Sequence, residues 1–549
     1  MTLPTLDLAV LLVYLAAVVA FGCWFVRRSG TTRQFMAAGG ALPGWAVGLS
    51  IFGTYLSSNT FLGVPGKAFG SNWNSFVFSL SLPIAVILAS RFFVPFYRRG
   101  GEISAYHHLE KRFGPWARTY AGACYLLTQL ARVGSILFGV SLALQALTGW
   151  PIAPIILAAG ALVTLYTLLG GIEAVIWTDV VQSIVLMGGA GVVACMLVFG
   201  TPGGPGEAVS IAADAGKFSL GSFAPDFTVS TFWVVLLYGT FINLNNFGID
   251  QSFIQRYHTA SSEAAARRSL WCGALLYVPI SLLFFFIGSS LFSYYTARPE
   301  MMARVKRHVA AERAKKVPDT FSAAKKVSGT FFAPGKEGQG AREGEEGYEA
   351  MLAREAEALT DADIGDKVLP DFIVRKLPGG VAGLLIAAIL AAAMSSIDTS
   401  LNSSATILLT DVYKRYVHPG ATERQAMRVL RGATLAVGGL GTGAALGMIG
   451  VKSVLDAWWK LSGIFAGGML GLFLLGLATR GSRTRSGAAG AVAVLVGVLV
   501  ILWLTFSPGS FLPPVLHNPF HAHMTIVVGT LTIFLVGLAA NRLWRGGAN

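Results

Sequence analysis

Residues Val381 to Arg415 read VAGLLIAAILAAAMSSIDTSLNSSATILLTDVYKR. The stretch begins as an apolar run fit for a membrane helix. Within the same segment come Ser395, Ser396, Asp398, Thr399, Ser400, Asn402, Ser403 and Thr406. At about 100° per residue these polar side chains share one face of roughly 200°, and the opposite face stays apolar. Lipid offers such a stripe no hydrogen-bond partner, so it must face protein, water or a ligand. Hydroxyl, amide and carboxylate oxygens are what a hard cation prefers. The stripe is therefore a candidate sodium-holding face.

The rest of the chain agrees. Of its 549 residues, 54% are hydrophobic and 13% charged, with a mean hydropathy of +0.61. Apolar runs of about 20 residues recur along the chain. They predict an all-α polytopic membrane protein with about 13 transmembrane helices. The first run comes before Arg27 and Arg28. It reads as an uncleaved helix with its N-terminus outside. The formal charge of +14 is then an orientation signal, not a sign of nucleic acid. The short cytoplasmic segments carry the arginines, among them Arg98, Arg99, Arg256, Arg267, Arg268, Arg428 and Arg431. The short outer segments carry Lys67, Lys217 and Lys452. This bias predicts a multi-pass protein of the cytoplasmic (inner) membrane with a short cytoplasmic C-terminal tail. Cys23, Cys124, Cys195 and Cys272 lie in apolar runs without motif spacing, and read as buried free thiols. The chain has no GxxxxGK[ST] stretch, which disfavours an ATP-driven pump.

Two spans are interrupted. The second, 42–63, contains Gly53, the polar cluster Tyr55 to Thr60, and then Gly63, Pro65 and Gly66. The seventh, 230–254, contains Asn243, Asn245, Asn246, Gly248 and Asp250. A pair of broken helices in corresponding places points to a transporter site, and makes Asn243 and Asn246 candidate substrate contacts. Counted from the second span, the breaks fall in helices 1 and 6 of a ten-helix set. That predicts a five-helix repeat over 42–199 and an inverted one over 230–479. Residues 1–41 add an N-terminal helix, 200–229 form an outer loop, and 480–549 add two C-terminal helices. The mixed-charge segment 296–379 reads as a long outer loop with solvated surface helices and no site. Gly439, Gly443 and Gly447 predict a close helix contact, and Asp456 and Lys460 a local pair.

Arg132 lies near the middle of the fourth span, where a charge needs a partner. It is either half of an ion pair with Asp398 or Asp250, or a bidentate clamp for a substrate carboxylate. Asp179 opens the sixth span, where an acid serves as a helix cap.

The stretches TYLSSNTF, GGIEAVIWTDVVQ, DQSFIQRY and AAAMSSIDTSLNSSATILLTDVYKR together resemble the sodium:solute symporter family, whose fold is the LeuT-like five-plus-five inverted repeat. LSSNTFLGVPGKAF with LARVGS is most similar to its bacterial sialic-acid branch. The resemblance implies a principal sodium site made by the carbonyls of Gly53, Leu56 and Ala392 and the hydroxyls of Ser395 and Ser396. It implies a second sodium site at Asp179, Ser395, Asp398 and Thr399, although the family has a hydroxyl where Asp398 stands. Implied substrate contacts are Tyr55, Ser57, Thr60, Ser79 and Arg132. Here Tyr55 replaces a small hydroxyl residue and Ser79 a carboxamide.

The expectation is a sodium-coupled symporter, not an enzyme, importing a small organic solute with Na+ as coupling ion. The solute expected is an anionic sugar acid such as sialic acid. The alternatives are a neutral sugar or other metabolite, or a proton-coupled carrier using Asp398. The partners expected are solute, sodium and lipid, with no nucleic acid and no obligatory protein partner.

Overall fold

The computed structural model describes residues 4–56, 58–315, 337–449, 454–479, 486–507 and 513–546. Ten helices among them are long and apolar enough to cross a bilayer. Helix Ile152–Gly200 is two crossings joined at Gly171, whose φ of 60° lies outside the helical region. The broken pair Gly44–Tyr55 and Ser58–Gly70 and the helix Val454–Ala478 bring the number of crossings to the expected thirteen. Among the described residues no strand forms. A chain in lipid must satisfy its backbone within each segment, and helices do so.

Val381–Ile407 is the pillar of the bundle. In its stretch 381–417, 89% of the most apolar window is buried, against 22% in Thr5–Trp24 at the periphery. Its polar stripe divides into two parts. At one end Gln255 Nε2 donates to Asn402 Oδ1 (2.7 Å), Thr406 Oγ1 (3.2 Å) and the Met36 carbonyl (2.6 Å), which makes a protein seam. Ser400 and Ser403 turn back to carbonyls of their own helix. Ser395 to Thr399 remain for the site.

The two breaks are sharper than the sequence suggests. The first lies at Leu56, whose ψ of 100° is extended, and Gly63, Pro65 and Gly66 continue in helix. The glycines there serve packing. A Cβ on Gly66 would stand 2.9 Å from the Gly365 backbone. The second break is Asp250 alone (ψ 120°), and Asn243 to Gly248 stay helical. Asp250 caps the next half-helix, Gln251–Thr259, by accepting from Ser252 N (2.8 Å). Every residue of that half-helix is buried.

Other expectations are corrected. Gly439, Gly443 and Gly447 meet nothing close; the tight contacts are Gly438 on Thr164 and Gly441 on Val133. The neighbouring rows of the helix face the bundle instead. Cys195 and Cys272 are exposed on the membrane-facing surface and only Cys124 is buried, because apolar helices in lipid expose apolar side chains outward. Within 296–379, helix Asp361–Lys376 is not a solvated surface helix. It buries Ile364, Val368, Leu369, Phe372 and Ile373 and docks on Ser58–Gly70 through Gly365 against Gly66 and Ala362 against Gly70. The side chains of Asp456 and Lys460 lie outside the described residues.

The N-terminal helix is fastened to the pillar. Asp7 is 3% exposed, and its Oδ1 accepts from the N–H groups of Gly380 (2.7 Å) and Gly383 (2.8 Å). These are orphan donors at the start of helix 381–407. Stranding a buried N–H costs about 1–3 kcal/mol. Asp7→Ala is therefore expected to lower the thermal unfolding midpoint in detergent, and an unchanged midpoint counts against the capping role.

Candidate functional site

Helices 44–55 and 381–407 cross at Gly53 and Ser395. A Cβ built on Gly53 would lie 3.6 Å from Ser395 Oγ, 3.6 Å from Asp179 Cβ and 3.0 Å from Ser183 Oγ. Leu56, at the break, and Ala392, one turn before Ser396, are both buried. The hydroxyl of Ser396 is buried without a protein partner, and so is that of Ser183. Native interiors rarely leave such groups unmatched. Gly53 and Ser395 meet at this crossing, and Ser396, the next residue of the helix, adds a buried hydroxyl without a partner; oxygen donors of this kind fit a hard cation. Ser183 was not among the expected residues. Its signal is the four-residue spacing from Asp179, which places both on one helix face.

Of the residues expected to form a second cation site, Asp179 and Thr399 meet a guanidinium. Asp179, wholly buried, accepts from Ser50 Oγ and Ser395 Oγ and from Arg256 Nη2 at 3.0 Å. The same Nη2 reaches Thr399 Oγ1 (2.8 Å), while Arg256 Nε donates to Ser50 Oγ (2.9 Å) and Nη1 to the Ser252 carbonyl (2.9 Å). Both members of the Arg256–Asp179 pair are 0% exposed. Arg256 is therefore not a charge of a cytoplasmic segment. The half-helix 251–259 carries it into the core, beyond the point where the apolar run ends. Asp179 is correspondingly more than a helix cap. Asp398 points elsewhere. Its Oδ2 accepts from Tyr166 (2.6 Å), and its Oδ1 has no protein partner. It does not pair with Arg132.

A cavity of about 330 Å³ lies beside the first break. Of the expected substrate contacts, Tyr55, Thr60, Ser79, Arg132 and Asn246 line it. Ser57 lies outside the described residues. Asn243 is a wall residue instead. Its Oδ1 accepts from the Tyr55 hydroxyl (3.0 Å) and its Nδ2 donates to Ser81 Oγ (3.1 Å). Arg132 donates to the Thr54 carbonyl (3.0 Å). The buried ion pairs among the described residues are those of Arg118 and Arg256, so Arg132 faces the cavity with its charge unneutralised by a direct contact. Tyr55 packs its ring against Phe253 and Tyr277, with centroids 5.3 and 5.2 Å away. The Ser79 hydroxyl sits 2.7 Å from that of Ser281. Gln129, Asn245 and Asp250, absent from the expected set, also line the cavity.

Exposed Lys67 and partly buried His523 line the cavity toward the end of the bundle that carries residues 296–379. Burial first, then His521 and Lys67, push His523 down to about 3. The opposite end carries a network of ion pairs. Arg118 bridges Asp411 (2.6 Å) and Glu110 (2.8 Å), and Arg415 also holds Glu110 (2.5 Å). Partial burial works to raise the Glu110 carboxyl, but its bonds to Arg118 and Arg415 outweigh that and hold it below the usual range.

The model of the sodium:solute symporter family matches residues 35–319 and 347–505. The chain is 31% identical to the sodium/sialic acid symporter NanT of Aliivibrio fischeri, over 99% of this chain and 94% of that protein. It is 32% identical to the sodium/sialic acid symporter SiaT of Proteus mirabilis, over 96% and 94%. The sodium/glucose cotransporter of Vibrio parahaemolyticus is 26% identical over 92% and 86%. A solved structure of a Na+-coupled sialic acid symporter, substrate-bound and outward-open, superposes with a TM-score of 0.80 at 29% identity, covering 98% of each chain.

Removing one partner of a buried ion pair costs about 3–5 kcal/mol, because the other charge is left stranded. Arg256→Met is expected to destabilise the protein by that order in chemical denaturation. Asp179→Asn added to it is expected to recover part of the loss. Wild-type stability in the single variant would refute the pairing.

Proposed function

The chain belongs to the sodium:solute symporter family, and we propose that it imports an anionic sugar acid of the sialic acid class, coupled to sodium, by alternating access. The observation that carries the sodium half is the crossing of Gly53 and Ser395 beside the unpartnered hydroxyl of Ser396. The observation behind the anion is Arg132, whose guanidinium lines a cavity where a carboxylate can meet it bidentately. In this reading the protein lies in the cytoplasmic membrane. Its N-terminus and residues 296–379 are outside, and its arginine-rich end and C-terminus are inside. Residues 42–199 and 230–479 are the two repeats.

The chemistry is one of replaced solvation. A sodium ion entering the crossing exchanges water for carbonyl and hydroxyl oxygens drawn from two different helices, so it favours the arrangement that brings those helices together. Each sodium carried inward adds ~2.3 kcal/mol per 100 mV of membrane potential. In this reading the ties of Arg118 to Asp411 and Glu110 lie across the inner path. They have to open for release. The set around Asp179 is held by Arg256, which favours one sodium per cycle over two.

Three measurements in proteoliposomes test this reading. Ser396→Ala is expected to raise the half-saturating sodium concentration about tenfold, or about 1.4 kcal/mol of ion binding; unchanged sodium dependence removes the ion site. Arg132→Ala is expected to weaken uptake of N-acetylneuraminate at least about a hundredfold, on the order of one charged bidentate contact. Retained affinity would favour a neutral sugar or another metabolite. Uptake driven by a pH gradient without sodium would favour the proton-coupled carrier, for which the unpartnered Oδ1 of Asp398 is the one structural observation.

A further inference from the structure

Gln129 is 0% exposed and lines the cavity with Arg132, yet neither Nε2 nor Oε1 of its carboxamide has a partner in the protein. It stands three residues before Arg132 in helix Pro115–Thr148, so both side chains leave the same face of that helix. Its polar neighbours are already engaged. Thr128 donates to the Cys124 carbonyl (2.8 Å) and Ser135 to the Arg132 carbonyl (3.0 Å). Across the cavity the hydroxyl of Tyr55 is held by Asn243 and that of Ser79 by Ser281. One further wall atom is unmatched: Oδ1 of Asn245, a residue 5% exposed. The cavity therefore offers a cation at Arg132, a free donor–acceptor pair at Gln129 and a free acceptor at Asn245. A carboxamide presents two N–H donors and an acceptor oxygen. Left dry, these groups oppose burial; a ligand that matches them is selected over one that cannot. The aromatic wall of Tyr55, Phe253 and Tyr277 takes the apolar side of a ring.

We propose that Gln129 contacts the substrate and reads a neutral hydroxyl or acylamino group close to the carboxylate that Arg132 takes. Asn245 accepts from a second donor of the same molecule. This rests on the anion reading of Arg132. Within the sugar-acid class already proposed, it makes Gln129 a specificity-determining residue that selects for a hydroxyl or acylamino group beside the carboxylate. Simple ring carboxylates satisfy Arg132 but leave the carboxamide stranded.

The test uses the full chain in detergent with sodium, and measures binding of N-acetylneuraminate, glucuronate and cyclohexanecarboxylate. The wild type is expected to bind at least one of the first two a hundredfold or more tighter than the third. Gln129→Leu is expected to shrink that ratio below tenfold by weakening the hydroxylated ligands alone. Gln129→Glu is expected to weaken every anion. Both variants keep the sodium-induced thermal shift. If Gln129→Leu is poorly folded, Gln129→Asn, which withdraws the amide by one methylene, is expected to give the same loss of selectivity. Affinities within twofold of wild type in Gln129→Leu, with binding abolished in Arg132→Ala, overturn the role of Gln129 and leave the anion reading intact. Unchanged binding in Arg132→Ala overturns the reading beneath it. Binding of cyclohexanecarboxylate as tight as that of the other two, or of none of the three, overturns the substrate class.

Discussion

The carboxylate of Asp179 is the joint of this molecule. It lies where water does not reach, and a lone charge there is not tolerated. Three other helices supply what it needs. Ser50 comes from the first half of the broken helix, Arg256 from the second half of the other broken helix, and Ser395 from the central pillar, while Asp179 itself stands on 172–200. Ser395 has a double position. Its proton goes to Asp179, which leaves its lone pairs free to face Gly53. A hydroxyl that donates to a carboxylate is a more negative oxygen and a better cation ligand. The ion pair thus supports the proposed sodium site without belonging to it.

The two breaks serve different ends. At Leu56 the backbone opens beside the crossing, where its carbonyls can be ligands. At Asp250 the break redirects the chain, so that a polar, wholly buried half-helix brings Gln251, Gln255 and Arg256 into the core. Gln255 closes the seam with Asn402 and Thr406, while Arg256 reaches Asp179. Movement of this half-helix therefore disturbs that seam and the Arg256–Asp179 pair together. That is a physical route for coupling one to the other.

Much of this was legible in the chain. The stripe in 395–406, the apolar runs and the two interruptions carry the fold, because lipid makes every polar residue at depth conspicuous. The misses share a cause. Arg256 was assigned to a loop because the apolar run ends before it, and hydropathy does not see a polar helix buried in protein. The packing row of the tenth helix was displaced, since Gly438 and Gly441 are not told from Gly439 and Gly443 by spacing alone. Helix 361–376 was read as solvated because its charges outnumber its apolar stripe. Asn243 and Asn245 stand two residues apart on one helix, and which of them faces the cavity follows from Tyr55 and Ser81, two side chains distant in sequence.

Gly66 and Gly365 meet backbone to backbone, with no room for a side chain between them. Helix 58–70 supplies Thr60, Val64 and Lys67 to the cavity wall, so the wall is packed directly against helix 361–376. An antibody fragment gripping 361–376 from the solvent thereby holds the cavity wall by its handle. Arrest of the cycle needs no molecule inside the membrane.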